Sequence, residues 1–449
     1  MIIKTLLLPQ ITHLLSAIFI PDQFLKEVDR LFFSFLWNNK PARIKRDTIT
    51  ASISDGGLKM IDIFTFHTAQ KSMWIKKLLS NTNAKWSHLF ETMCGISKIL
   101  LDFKLPNNCL EKYQNSKFHY QVLQCWFQVK SRPPETVNEI LNEYICLNRY
   151  ITVGGECVHP ELLGYKDNCI NFKIFNLLNN NNEIGTVDEI YTILQCNTNF
   201  LSINSILQAI PKEWKQKINA NKQPFKGLTP FHIIINKIPK LISDIRGNNI
   251  YWELMNGKAK PPTEQYTWLD LFPFLEKLDW KSVYTSIYKI TNEPYLLTFQ
   301  YKVINRSLNC NYNLCKWKIR QNNKCSYCTQ NNEIDTLEHH LYYCHVSRRF
   351  WKDVSEWLGE LTNVTIKFAI CDIVFGMVET YNFRDIVHIT NLLVLLGKWY
   401  LNKQKTSEKE ILFSDFVQFI HEKVKVIRMT YVINGNLSDF MNMYGFFYN

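Results

Sequence analysis

The 449-residue sequence predicts a mostly α, multi-helical protein with a small zinc-knuckle-like segment in its C-terminal half. Three observations lead there. Apolar residues recur three and four positions apart in stretches near both ends, which puts them on one face of a helix. Pro and Gly fall between those stretches rather than inside them. Residues 325–344, CSYCTQNNEIDTLEHHLYYC, bring three cysteines and two adjacent histidines into twenty positions.

Taken in order, residues 1–80 read as helical at both ends with a basic connector between. Phe24, Leu25, Val28, Leu31, Phe32, Phe35 and Leu36 form a continuous helical face, and Pro21 with Asp22 stands at its start. The connector contains Pro41 and Gly56-Gly57, which break helices, and clusters Lys40, Arg43, Lys45 and Arg46. Helical periodicity returns over 65–79, with Lys71, Lys76 and Lys77 expected to face solvent. The first twenty residues imitate a secretory leader, but Pro9, Gln10, Thr12 and His13 interrupt the apolar run and no small-x-small site follows.

Residues 81–265 are a connector whose fold the pattern does not specify, with short apolar runs split by Asn-rich stretches such as 179–182. A linker-like segment at 257–265, centred on Pro261-Pro262, precedes a new unit at Trp268. Residues 266–360 begin with consecutive helices and continue through the cysteine segment into RRFWKDVSEWLGEL. There Phe350, Trp351, Val354, Trp357 and Leu358 share a helical face. Residues 361–449 add further helices.

Composition narrows the partners. The net charge is +12, from 52 Lys and Arg against 40 Asp and Glu, and favours an acidic partner such as nucleic acid. Twelve Trp, 21 Tyr and 29 Phe exceed ordinary usage and supply stacking surfaces as well as core. No stretch reaches the ~18 uninterrupted apolar residues of a membrane span, so no membrane partner is expected. Thirteen cysteines without a repeating framework indicate a reducing, intracellular setting in which most thiols are simply buried.

Zinc takes four ligands tetrahedrally, and Cys325-x-x-Cys328 is the tightest loop that offers two of them. Asp335 with Glu338 reads as a capping box that starts a helix carrying the remaining ligands. Cys344 is the third thiolate. His340 lies four residues before it, on the same helical face, and His339 lies five before it; both spacings suit a structural zinc site. Such a site is structural, because four protein ligands leave no position for water. Between Tyr301 and Trp351 eight Lys or Arg face three acids, with Tyr327, Tyr342 and Tyr343 interleaved, the pattern of a surface for single-stranded or structured RNA.

Two blocks resemble a known family, the part of LINE-type non-LTR retrotransposon reverse transcriptases that lies C-terminal to the polymerase palm. The first is Leu8-Pro9, Ile20-Pro21, Phe35-Leu36-Trp37-Asn38, Arg43 and Gly56-Gly57-Leu58 followed by Asp62, Phe66 and Ala69, similar to the thumb and the segment after it. The second is Cys325, Cys328, Thr336, His339, Leu341, Cys344 and Phe350-Trp351, similar to the family's zinc-binding segment. This resemblance implies structural Zn2+ held by Cys325, Cys328, His339 and Cys344. Asp335 stands where the family has Glu, and Ile61 where it has Pro. The resemblance also implies a nucleic-acid-binding module that contacts template RNA and target DNA, in nucleus or cytoplasm. A catalytic reverse transcriptase half is a further possible partner.

The contacts are expected from Lys40, Arg43, Lys45, Arg46, Lys318, Arg320, Lys324, Tyr327, Arg348 and Arg349. No Asp-Asp pair occurs in the chain, and such polymerases hold two metals on paired carboxylates; no enzymatic activity of its own and no small-molecule substrate are therefore expected. The alternatives are a fragment of a longer active RNA-directed DNA polymerase and a host-adopted or decayed structural protein.

Overall fold

The structure is a computed structural model that describes residues 2–80, 85–160, 169–194, 199–221, 231–258, 260–328, 330, 332–364, 366–377 and 384–448. Ala259 of the linker-like stretch lies outside the described residues. Those residues are mostly helical. The strands among them are two short antiparallel hairpins, Thr152–Val153 with Glu156–Cys157 and His232–Ile235 with Ile238–Leu241. No described helix is long and apolar enough to cross a membrane. The chain divides into two compact units, Met1–Lys40 with Ile61–Lys258, and Pro41–Met60 with Ala259–Asn449.

The first unit is organised by the helix Ile63–Ser80, which packs against Lys117–Lys130, Gly247–Asn256 and Leu8–Ala17. Its start is set by Asp62, whose carboxylate accepts the Thr65 amide at 2.7 Å. Lys71 corrects the expected solvent face: it is fully buried, and its Nζ donates to the carbonyls of Ser16 and Ile18. Burial pushes its ammonium down to about 8. The opening residues thus pack on this helix, and Trp74 Nε1 also donates to the Ser16 carbonyl at 2.9 Å.

The helix Asp22–Leu36 forms where the periodicity places it, but only part of the expected face is core. Leu25, Val28, Phe32 and Phe33 are buried, whereas Phe24, Leu31, Phe35 and Leu36 are exposed. A hydrophobic stripe wider than one neighbour can cover leaves its flanks in water.

The second unit gathers the helices Trp280–Ile290, Pro294–Ile304, His345–Thr362, Arg384–Thr406 and Phe413–Ile433 around one core that includes Val303, Leu341, Val354, Leu393 and Phe416. Phe350 and Trp351 lie inside it, and Trp351 Nε1 donates to the Leu341 carbonyl at 2.7 Å, tying the core to the cysteine segment. Gly397 lets the Arg384–Thr406 helix approach, since a Cβ there would meet the Trp351 ring at 2.9 Å.

The basic segment Pro41–Met60 belongs to this unit. Gly56 has φ +80°, and a Cβ would lie 2.6 Å from Pro262 and 2.9 Å from Tyr284; one at Gly57 would lie 2.1 Å from the Ala51 carbonyl oxygen. Both positions therefore exclude any side chain.

Candidate metal centre

Residues 323–335 fold back on themselves: Cys325 N donates to Glu333 O and Asp335 N to Asn323 O, both at 2.9 Å, around an isolated bridge between Lys324 and Ile334. Cys325 and Cys328 lie in the loop between. The helical turn that follows is capped by Thr336, whose Oγ1 accepts the His339 amide at 3.2 Å. This corrects the capping box expected from Asp335 and Glu338. The Asp335 carboxylate instead accepts the Asn311 amide at 2.8 Å and faces His340 Nδ1 at 3.1 Å, while Glu338 is ion-paired with Arg306. Both acids are buried and would be costly there without those partners.

The turn is a π-helix over His339–Tyr343, closed by Cys344 N donating to His339 O at 2.9 Å. Such wide turns recur at functional sites. The helix His345–Thr362 begins directly after Cys344, and the partial positive charge of its N-terminus favours a thiolate there.

One ligand atom each from Cys325, Cys328, His339 and Cys344 lies within 4.8 Å of all the others, forming a Cys3His cluster that could hold a metal ion. Cys344 Sγ is 3.8 Å from Cys325 Sγ and 3.7 Å from Cys328 Sγ. A zinc tetrahedron with Zn–S bonds of about 2.3 Å has an edge of about 3.8 Å, so the spacing suits zinc. Cys325, His339 and Cys344 are buried and Cys328 is half-buried. His339 Nε2 and His340 Nε2 are both buried without a hydrogen-bond partner, so each ring has a nitrogen free for a metal, and it is proximity to the three thiols that singles out His339.

The thiols divide their charge unequally. The hydrogen bond from Cys325 holds the Cys344 thiol far below its ordinary range against the effect of burial, with His339 and the Lys405 ammonium lowering it further. The same bond and burial push Cys325 far up, and burial also raises Cys328. A metal would draw the protons off the remaining thiols. His340, by contrast, belongs to a supporting layer: its ring faces Asp335, and its carbonyl accepts Lys405 Nζ and Ser347 Oγ, both at 2.9 Å.

The cations expected to contact nucleic acid fall into three groups. Arg43 lies 4.0 Å from the centroid of the Trp317 ring and donates to Asn309 Oδ1 at 2.8 Å. Arg320 donates to Asn311 Oδ1 at 2.9 Å, Asn311 Nδ2 donates to the Lys324 carbonyl at 2.8 Å, and Tyr327 donates its hydroxyl to the Lys409 carbonyl at 2.7 Å. Asn309 and Asn311 line one cavity with Arg320, Cys325 and Tyr327, which sets Arg43, Arg320 and Tyr327 near the cluster, whereas the Lys324 ammonium bonds Asn332 Oδ1 at 2.7 Å. Arg348 and Arg349 are exposed on the helix after Cys344. Lys40, Lys45, Arg46 and Lys318 are exposed as well, with Lys40 in the first unit.

Sequence reasoning missed two neighbours of the thiols. His345 Nδ1 is 3.3 Å from Cys328 Sγ, and its position directly after Cys344 was the available signal. Lys405 lies far downstream and carried no such signal. Nor did the sequence single out a buried polar network in the first unit, where Lys130 pairs with Asp102 at 3.0 Å and Lys104 with Glu143 at 2.5 Å beside a cavity of about 620 Å3.

Residues 251–351 match the family described as zinc-binding in reverse transcriptase. The match contains all four residues of the cluster. This stretch is similar to the zinc-binding region associated with reverse transcriptases, and its cluster supplies the ligands such a region needs. No curated protein matches the chain.

Proposed function

We propose that the second unit is a zinc-clasped nucleic-acid-binding module of a LINE-type retrotransposon reverse transcriptase, one that contacts template RNA and target DNA. The observation that carries this reading is the placement of Arg43, Arg320 and Tyr327 near the Cys3His cluster around Asn309 and Asn311. Zn2+ on Cys325, Cys328, His339 and Cys344 would fix the loop on which Lys324 and Tyr327 stand. With four protein ligands the metal has a structural task. The guanidinium groups of Arg43 and Arg320, each held by an asparagine, suit phosphates, and the chain's net positive charge draws them in.

The module binds rather than polymerises: the chain has no Asp-Asp pair to hold two catalytic metals, and a catalytic half would come from elsewhere. The test is fluorescence anisotropy of the purified chain with labelled single-stranded RNA over a salt series. Affinity falls steeply, with a log–log slope of about 0.7 for each phosphate neutralised. Binding that is absent, or indifferent to salt, sinks the reading.

A further inference from the structure

On the side of the cluster where Cys328 is accessible, the second unit has a cavity of about 720 Å3, lined by Cys328 and His339 and by Tyr327, Glu333, Tyr343 and Arg348. A space of this size takes a small ligand or one residue of a polymer. Its walls are unusual for a surface depression. Tyr343 is 41% exposed although it stands on the turn that carries a cluster ligand. Its neighbour Tyr342 anchors that turn, donating its hydroxyl to the Phe368 carbonyl at 2.9 Å, with the two rings edge-on at 5.3 Å. The Arg348 guanidinium lies 5.7 Å from the Tyr343 ring centroid. Tyr327 is held by its hydroxyl bond to Lys409. Glu333 is exposed, and its backbone carbonyl is fixed by the Cys325 amide.

We infer that this cavity receives one unpaired nucleobase, stacked on Tyr343. The inference rests on the nucleic-acid reading above and assigns its chemistry to one place. An aromatic ring beside a guanidinium plane is what an extruded base stacks on, whereas a paired base keeps its faces inside the duplex. The Glu333 carboxylate accepts a base N–H, whether an exocyclic amino group or the N3–H of uracil, and Gln330, His345 and Arg348 on the same walls can donate to a base carbonyl, so the walls suit a base without choosing among bases. The same acid disfavours phosphate. Backbone contacts therefore belong outside the cavity, to cations such as Arg349. Because Cys328 and His339 line the space, zinc on the cluster holds its wall in shape.

The experiment uses the full chain loaded with zinc and four labelled probes: oligouridine and an abasic strand, each as RNA and as DNA, all of one length. The base-bearing probes bind more tightly than the abasic ones in both sugar series, since the stacked base makes the distinction. Tyr343→Ala weakens the base-bearing probes about tenfold or more without changing the salt slope, because a stacking contact is lost and no phosphate contact. Tyr343→Phe restores the binding lost in the alanine variant.

Steep, salt-dependent binding by the wild type that Tyr343→Ala leaves intact and that does not distinguish a base-bearing strand from an abasic one overturns the cavity and leaves the module's function standing. A wild type that binds none of the probes overturns both. Zinc content and circular dichroism of each variant separate loss of contact from loss of fold.

Discussion

The Cys344 amide donates to the His339 carbonyl at 2.9 Å, across five residues rather than four. In a regular α-helix the histidine four residues back would share a face with the cysteine. Here the wider turn leaves His339 with the three thiols, while His340 faces Asp335 at 3.1 Å.

The two histidines should therefore separate in a metal assay. His339→Ala is expected to retain well below one zinc per chain after dialysis against a mild chelator. His340→Ala keeps near-stoichiometric zinc but melts earlier, because the buried Asp335 carboxylate loses one of its two partners and keeps the Asn311 amide. Zinc lost in His340→Ala and kept in His339→Ala reverses the assignment.

Removing the metal from the wild type should loosen the knuckle and spare the first unit. Metal-binding energy at such a site is folding energy, and the other restraints on the loop are single hydrogen bonds such as Cys325 to Glu333, Asp335 to Asn323, Asn311 to Lys324 and Tyr327 to Lys409. Lys324 is exposed at its edge. Tryptic cleavage after Lys324 is expected to speed up severalfold on chelation and to slow again when zinc is restored. A cleavage rate indifferent to zinc counts against a clasp.

Lys398 gives a pH signature. It is fully buried, donates to the Ile373 and Val374 carbonyls at 2.8 and 3.2 Å, and burial pushes its ammonium down to about 7. In the unfolded chain a lysine titrates near 10.4, so between about 7 and 10.4 the unfolded state holds the extra proton. Stability contributed by this group thus rises with pH across that window, by up to about 1.4 kcal/mol per pH unit, and is flat below it. Urea midpoints of wild type and Lys398→Met from pH 6.5 to 9.5 read the difference; parallel curves refute it.

Gly56→Ala should destabilise the second unit by about 1–3 kcal/mol, the cost of a left-handed non-glycine residue together with the contact at Pro262. Thermal melting detects this, and a change below about 0.5 kcal/mol contradicts it.

Much of the helical architecture was legible because burial enforces a period: Phe350, Trp351, Val354 and Leu358 are core at the spacing the sequence displays. Periodicity is blind to how wide a neighbour is, so it assigned Phe24 and Phe35 to a face that is partly open, and it left Lys71 in solvent. The lysine is inside because two carbonyls, those of Ser16 and Ile18, receive it. Such long-range partners leave no local mark.

At the candidate metal centre, local spacing alone nominated the Cys-x-x-Cys loop, the third thiol and a pair of histidines, since zinc's small coordination sphere demands ligands close in sequence. Tertiary structure decided the rest. It set the two histidines on different partners, brought Lys405 to the His340 carbonyl, and joined Arg43 to Asn309 across the chain. Short-range pattern can announce a metal's ligands. Which cations and rings surround them depends on chain segments that meet only when the core folds.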